Sequence, residues 1–134
     1  MPPFDYLKTI YLGDRWLQKI IIDGENNTII VQVNLISRIK EGTERWDFYS
    51  EEDIENGQII FSDVKKFTFD PIGYMPNDFI QIEIDQQKDK NQKYYEFHLF
   101  FGHGTKTETK TINLKIWASA ISLQDPNNPS RVIR

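Results

Sequence analysis

The side chains best suited to chemistry lie in the second half of the chain, where acidic residues accompany a histidine. Residues 79–86 and 93–102 both alternate apolar and polar side chains, and the polar positions include Glu83, Asp85, Glu96 and His98. If the two segments form an antiparallel hairpin, these four side chains share one face of a sheet. Carboxylates with one imidazole suit a divalent metal such as Mn²⁺ or Fe²⁺, and two close carboxylates can form an acid–base pair.

Two registers of this hairpin agree with the apolar pattern. One register pairs Ile82 with Phe97 and places Glu83 across from Glu96, whereas a slip of two residues places Glu83 beside His98. Any half-exposed strand shows the same alternation, with its polar side chains in water. A metal-binding or hydrolytic site is therefore the alternative interpretation of this face.

Other catalytic signatures are missing from the sequence. There is no cysteine, and the two histidines, His98 and His103, fall at opposite parity along one predicted strand. The seven glycines are dispersed and match neither a phosphate-binding loop nor a nucleophile elbow. We therefore expect a protein that is not an enzyme, with no catalytic residue and no cofactor.

The charge distribution supports a different function, the binding of another protein. Residues 41–55 contain seven acidic residues against Arg45 alone, a net charge of −6, whereas residues 105–134 carry +3. Aromatic side chains supply anchors in protein interfaces, and charges steer the encounter. An acidic turn over inward-pointing aromatic rings would give the same pattern. The predicted partner-binding residues are Glu44, Trp46, Asp47, Phe48, Tyr49, Glu51, Glu52 and Asp53.

Five short strings, spread over much of the chain, resemble a family of small bacterial proteins of unknown function. They are residues 10–15 (IYLGDR), 36–38 (ISR), 46–49 (WDFY), 53–57 (DIENG) and 76–78 (PND). In size and style the chain is also similar to the immunity proteins of toxin–antitoxin loci. This resemblance implies stoichiometric binding of a toxin, which the acidic segment would fit if the toxin is basic. It implies no active-site residues.

Composition limits the remaining classes. The 134 residues are 39% hydrophobic and 13% aromatic, which is enough for one globular domain over residues 1–134. The net charge of −4 argues against a nucleic-acid partner. No run approaches the roughly 20 apolar residues of a membrane span, and residues 1–8 do not resemble a secretory signal. We expect a cytoplasmic protein without membrane contact.

A period of two dominates the regular segments, which are rich in Ile, Val, Phe, Tyr and Thr. The pattern predicts a mostly β fold, an antiparallel sandwich or meander of about six or seven strands with a short N-terminal helix within residues 2–11. Residues 16–23 and 28–39 should form a hairpin that pairs Ile22 with Ile29 and Ile20 with Val31.

Less regular segments complete the prediction. Residues 50–57 resemble a capped helical turn, residues 102–104 a turn, and residues 130–134 a frayed tail. Residues 107–122 should form one long strand, whose edge could pair across a dimer axis, so both a monomer and a homodimer remain open. A third interpretation is a sugar- or lipid-binding sandwich with stacking rings. The candidate rings are Trp16, Trp46, Trp117, Tyr94 and Phe100.

Overall fold

The computed structural model describes residues 3–12, 15–38, 53–78, 80–85, 94–104 and 109–133. Within these ranges the chain forms one five-residue helix and twelve strands, arranged in three antiparallel sheets. The predicted mostly β, antiparallel class is confirmed. The predicted six or seven strands are too few, and the helix is shorter than expected because residues 10 and 11 form a strand. The elements are α1 (Pro3–Leu7), β1 (Ile10–Tyr11), β2 (Leu17–Asp23), β3 (Thr28–Val33), β4 (Leu35–Arg38), β5 (Ile54–Glu55), β6 (Gln58–Ser62), β7 (Lys66–Asp70), β8 (Ile80–Asp85), β9 (Tyr95–Gly104), β10 (Thr109–Ala118), β11 (Ala120–Asp125) and β12 (Asn128–Ile133).

A five-stranded sheet has the strand order β12-β11-β6-β3-β2. Its β2–β3 hairpin has the predicted register, with Ile22 opposite Ile29 and Ile20 opposite Val31. The Asp23 carboxylate accepts hydrogen bonds from the backbone N–H groups of Glu25 and Asn26, at 3.1 and 3.2 Å, which fixes the turn. Strand β12 replaces the predicted frayed tail, because it pairs with β11 after the turn that follows Asp125.

A four-stranded sheet has the order β7-β10-β9-β8. Alternate residues of both large sheets are buried between them, as the period of two predicts. The rings of Phe61 in β6 and Phe97 in β9 meet edge to face, with centroids 5.0 Å apart. The core of the sandwich therefore lies between these two sheets.

Two connections pass from one large sheet to the other at a shared corner. Ser119 donates its backbone N–H to the Ser62 carbonyl at 3.1 Å, and Lys65 donates to the Trp117 carbonyl at 2.8 Å. The predicted single strand over residues 107–122 is wrong, because Ser119 separates β10 from β11. The predicted edge position is also wrong, because β10 lies between β7 and β9.

The third sheet is small and has the order β1-β4-β5. Ile36 lies opposite Ile54, so β4 and β5 hold the two ends of the connection formed by residues 39–53. The predicted helical turn is wrong for residues 53–57, because Ile54 and Glu55 extend to pair with β4; residues 50–52 lie outside the described ranges. Asn56 then turns the chain with a φ of 52°.

Polar side chains tie this small sheet to the rest of the molecule. Arg38, only 8% exposed, donates from Nε to Thr9 Oγ1 at 3.0 Å, and its guanidinium lies 5.2 Å from the centre of the Tyr6 ring. The Thr9 hydroxyl donates to the Tyr6 carbonyl at 2.7 Å. The Tyr6 hydroxyl donates to the Ile133 carbonyl at 2.6 Å, which links α1 to β12.

Candidate functional site

The outer face of the four-stranded sheet carries Glu83, Glu96 and His98 of the predicted acidic and histidine residues. The backbone register places Glu83 opposite His98 and Asp85 opposite Glu96, so the slipped register is the observed one and the pairing of Ile82 with Phe97 is wrong. His98 Nε2 lies 3.1 Å from Glu96 Oε1, and Lys115 Nζ lies 3.9 Å from the same oxygen. The strands thus bring Glu96, His98 and Lys115 together.

This face does not assemble a metal site among the side chains that the structure describes. No group of three or more His, Asp or Glu side chains is close enough there to hold a metal ion, and the Asp85 side chain lies outside that description. Glu83 instead accepts a hydrogen bond from Gln81 at 3.2 Å. Two buried polar atoms on the adjacent strands β9 and β10, His98 Nε2 and Asn113 Oδ1, lack an aligned hydrogen-bond partner.

A second candidate surface lies where the small sheet meets β2, and we name it the Trp16 surface: Trp16, Asp53 and Glu55. The Trp16 side chain is 53% exposed. Its backbone is fixed, because the Trp16 N–H donates to Asn34 Oδ1 at 2.9 Å and the Asn34 N–H donates to the Trp16 carbonyl at 3.3 Å.

Hydrogen bonds through Asn34 connect Trp16 to the end of β5, next to the acidic members of the Trp16 surface. The Asn56 N–H donates to the Asn34 carbonyl at 2.9 Å, so Asn34 bonds both to Trp16 and to the residue after Glu55. Asp53 and Glu55 are both exposed. A surface with an exposed indole and exposed carboxylates offers contacts to apolar and basic groups.

Of the eight predicted partner-binding residues, the structure describes only Asp53. The other seven, Glu44, Trp46, Asp47, Phe48, Tyr49, Glu51 and Glu52, lie outside the described ranges. The described residues on either side of this segment, Arg38 and Ile54, belong to β4 and β5 of the small sheet.

Sequence reasoning named Trp16 only as a stacking ring for sugars and did not place it beside the acidic segment. Strand parity was the signal that could have found its exposure, because Leu17 is buried and its neighbour must point away from the core.

The loop over residues 71–76, within the turn-rich segment that the sequence predicts for residues 70–78, exposes apolar side chains. Ile72 is 79% exposed and Met75 is 68% exposed. The loop is anchored to β9, since His103 Nδ1 lies 2.7 Å from the Met75 carbonyl oxygen and the Gly104 N–H donates to Asn77 Oδ1 at 3.1 Å. The predicted turn over residues 102–104 is wrong because these residues continue β9 as the loop's support.

Comparisons with other proteins identify a family and no activity. No curated protein and no solved structure matches the chain. In the described ranges, no helix has the length and apolar character that crossing a membrane requires. One family model, described as a family of unknown function (DUF6258), matches residues 1–134. The chain therefore belongs to this family of unknown function, DUF6258.

Proposed function

We propose that this protein is a non-catalytic domain that binds a basic protein partner, as an immunity-type inhibitor binds a bacterial toxin. The binding face comprises the Trp16 surface and the adjoining acidic segment, residues 41–55. The single observation that carries the proposal is the exposed Trp16 side chain on a backbone that is linked through Asn34 to Asn56, the residue after the exposed Glu55. Bacterial origin and the toxin partner rest on the resemblance described above.

Trp16 has the properties of an interface anchor. Tryptophan is enriched among the residues that contribute most to binding energy, because a large flat ring buries much area at a small entropic cost. Both backbone polar groups of Trp16 are hydrogen-bonded to Asn34, so the strand that carries the ring is already ordered. Ordering before association reduces the free-energy cost of binding.

The charge pattern selects the chemistry of the partner. Seven acidic residues against one arginine give residues 41–55 a net charge of −6, which produces a negative field. Such a field accelerates association with a positively charged surface and weakens as salt rises. A toxin that binds nucleic acid through a basic cleft has the matching charge.

The test is affinity capture from native lysate with mass spectrometry, using the wild type and two charge variants. We expect one stoichiometric partner that is lost at high salt. Trp16→Ala should weaken capture by about tenfold or more, and Asp53→Lys/Glu55→Lys should abolish it at physiological salt. The control, Glu25→Lys/Glu83→Lys, changes the net charge by the same amount at two other exposed positions. Equal capture by all variants would refute the Trp16 surface.

A second candidate function, binding of a small polar ligand such as a sugar, is favoured by the outer face of the four-stranded sheet. On this face Asn113 in β10 lies opposite Phe100 in β9, and His98 is two residues before Phe100 in the same strand. A sugar ring could pack on the half-buried Phe100 ring, with Asn113 opposite it on the neighbouring strand. NMR titration with monosaccharides should shift β9 and β10 amides in the wild type and not in Asn113→Ala. Shifts elsewhere only would reject this face.

Calorimetry tests the alternative function of this face, a metal-binding or hydrolytic site. That site would use Glu83, Asp85, Glu96 and His98. Titration with Mn²⁺, Zn²⁺ and Ca²⁺ measures it directly, and Glu96→Gln is the matched variant that keeps side-chain size. Equal heats from the wild type and the variant would reject it.

A further inference from the structure

Strand β7 forms an edge of the four-stranded sheet. In the described part of the chain it pairs with β10 and with no other strand. Four of its five residues are exposed. The backbone N–H and C=O groups along such an edge are a template for another strand.

The sequence of β7 is complementary to itself when a second copy runs antiparallel. The strand reads Lys66-Phe67-Thr68-Phe69-Asp70. A twofold axis at Thr68 places Lys66 opposite Asp70 of the second copy, and Phe67 opposite Phe69 of the second copy. Each cross-strand pair occurs twice, so the interface has two opposite-charge pairs on one face and two aromatic pairs on the other.

The charged residues of β7 are available for this pairing. Neither Lys66 nor Asp70 forms a salt bridge with another described residue, and Lys66 Nζ lies 4.5 Å from the centre of the Trp117 ring on the outer face. Opposite charges at facing positions stabilise an antiparallel strand pair, and like charges at the same positions destabilise it. The register is therefore specified by charge.

Exposed apolar side chains gather around this edge. Of the seven large hydrophobic residues exposed in the described ranges, five belong to β7 or to the two cavities at its ends, and these are Ile22, Phe67, Ile72, Tyr74 and Met75. The cavity at the β7 start has a volume of about 330 Å³ and includes Phe67; the cavity at its end has about 420 Å³ and includes Phe69. Such concentration of exposed apolar area marks an interaction surface.

Strand β2 offers a competing edge. Its Lys19 and Asp23 would also pair around a twofold axis, at Ile21. However, the Asp23 carboxylate is already used by the β2–β3 turn, because it accepts three hydrogen bonds from Glu25 and Asn26. A register irregularity between Leu17 and Lys19 also interrupts this strand. The β7 edge has neither obstacle.

We propose that the protein forms a twofold-symmetric dimer through β7, which joins two four-stranded sheets into one continuous eight-stranded sheet. The occupant of the edge is the β7 strand of a second copy of this chain. This contact is separate from the Trp16 surface, so the dimer and the proposed partner complex do not depend on one another.

The test is a charge swap measured by analytical ultracentrifugation. We expect the wild type to shift from monomer to dimer as its concentration rises. Asp70→Lys and Lys66→Asp should each remain monomeric, because each puts like charges opposite one another twice. An equimolar mixture of the two variants should form a heterodimer, because both β7 lysines of one variant then face both β7 aspartates of the other. Circular dichroism of each variant controls for folding.

The outcomes separate the occupants of the edge. A wild type that stays monomeric at high micromolar concentration would overturn the proposal. A dimer that persists in both single variants would also overturn it, and Asp23→Lys then tests the β2 edge. Restored dimer in the mixture, with monomers in each component, supports the β7 register, since a loss of folding cannot produce complementation.

Discussion

Between the two large sheets the buried side chains are apolar, whereas around the three-stranded sheet they include Thr9, Ser37 and Arg38. The first region is held by contacts such as the edge-to-face pair of Phe61 and Phe97. The second is held by hydrogen bonds, each of which contributes only about 1 kcal/mol of net stability. We infer that the end carrying the proposed partner surface is the more easily opened part of the molecule.

The largest expected effect is the loss of an aromatic ring from the inter-sheet core. Phe97→Ala should lower the free energy of unfolding by about 3–5 kcal/mol, because it removes a fully buried ring and leaves a cavity. Urea denaturation measures the change. The matched control is Phe67→Ala, whose ring is 38% exposed at the sheet edge. Equal losses at both positions would mean that the core does not dominate stability.

The junction between β5 and β6 should tolerate no added methyl group. A Cβ at Gly57 would lie 2.6 Å from Cδ1 and 2.8 Å from Cγ1 of Ile36, which is itself fully buried. Gly57→Ala should cost about 1–3 kcal/mol by overpacking.

Gly24→Ala is the control for this junction, since nothing lies within 4 Å of a Cβ there. Thermal unfolding should separate the two variants. Equal midpoint temperatures of unfolding would show that the packing around Gly57 accommodates the methyl group without loss of stability.

A single hydrogen bond of the polar region should contribute less than either packing change. Tyr6→Phe removes the donor to the Ile133 carbonyl and should cost about 1 kcal/mol. Tyr74→Phe, which loses an exposed contact with Lys110, should cost less. Urea denaturation of both variants checks the order. A Tyr6→Phe loss as large as that of Phe97→Ala would break the comparison between the two regions.

The smallest effect concerns the β2–β3 turn and depends on pH. The side-chain amide of Asn26, followed by its backbone N–H, lowers the pKa of Asp23 below its ordinary value of 3.8. A carboxyl group whose pKa is lowered by folding stabilises the fold above its unfolded pKa. That stabilisation is lost as pH falls through the folded value.

We therefore expect Asp23→Asn to be less stable than the wild type at neutral pH. The difference should vanish in strong acid. Denaturation of the wild type and the variant across this pH range tests the expectation. A constant difference at all pH values would remove the carboxylate as its cause.

The sequence predicted those parts of the fold that short, regular signals specify. The β2–β3 register followed from a polar loop between alternating segments, and both proposed β8–β9 registers gave the correct faces. Alternation alone does not decide between the two registers, because a slip by two residues keeps every side chain on its face. The structure selects the one with Glu83 opposite His98.

Other elements depend on distant contacts that local patterns do not contain. Strand β12 includes Pro129 and lacks alternation, and its formation depends on β11. The break at Ser119 left a signal, since the buried positions change parity from Ile116 to Ile121. The Trp16 surface combines Trp16, which precedes β2, with Asp53 and Glu55 at β5, so its composition depends on the tertiary fold.

The shared corner between the large sheets has a consequence for how the chain folds. Ser62 and Ser119 meet there although 57 positions separate them in sequence. Contacts between distant segments require an entropically costly loop closure before they stabilise anything, which slows folding. Because both sheets are connected through this corner, we expect them to form together in one slow cooperative step, with the β2–β3 hairpin as the early local structure.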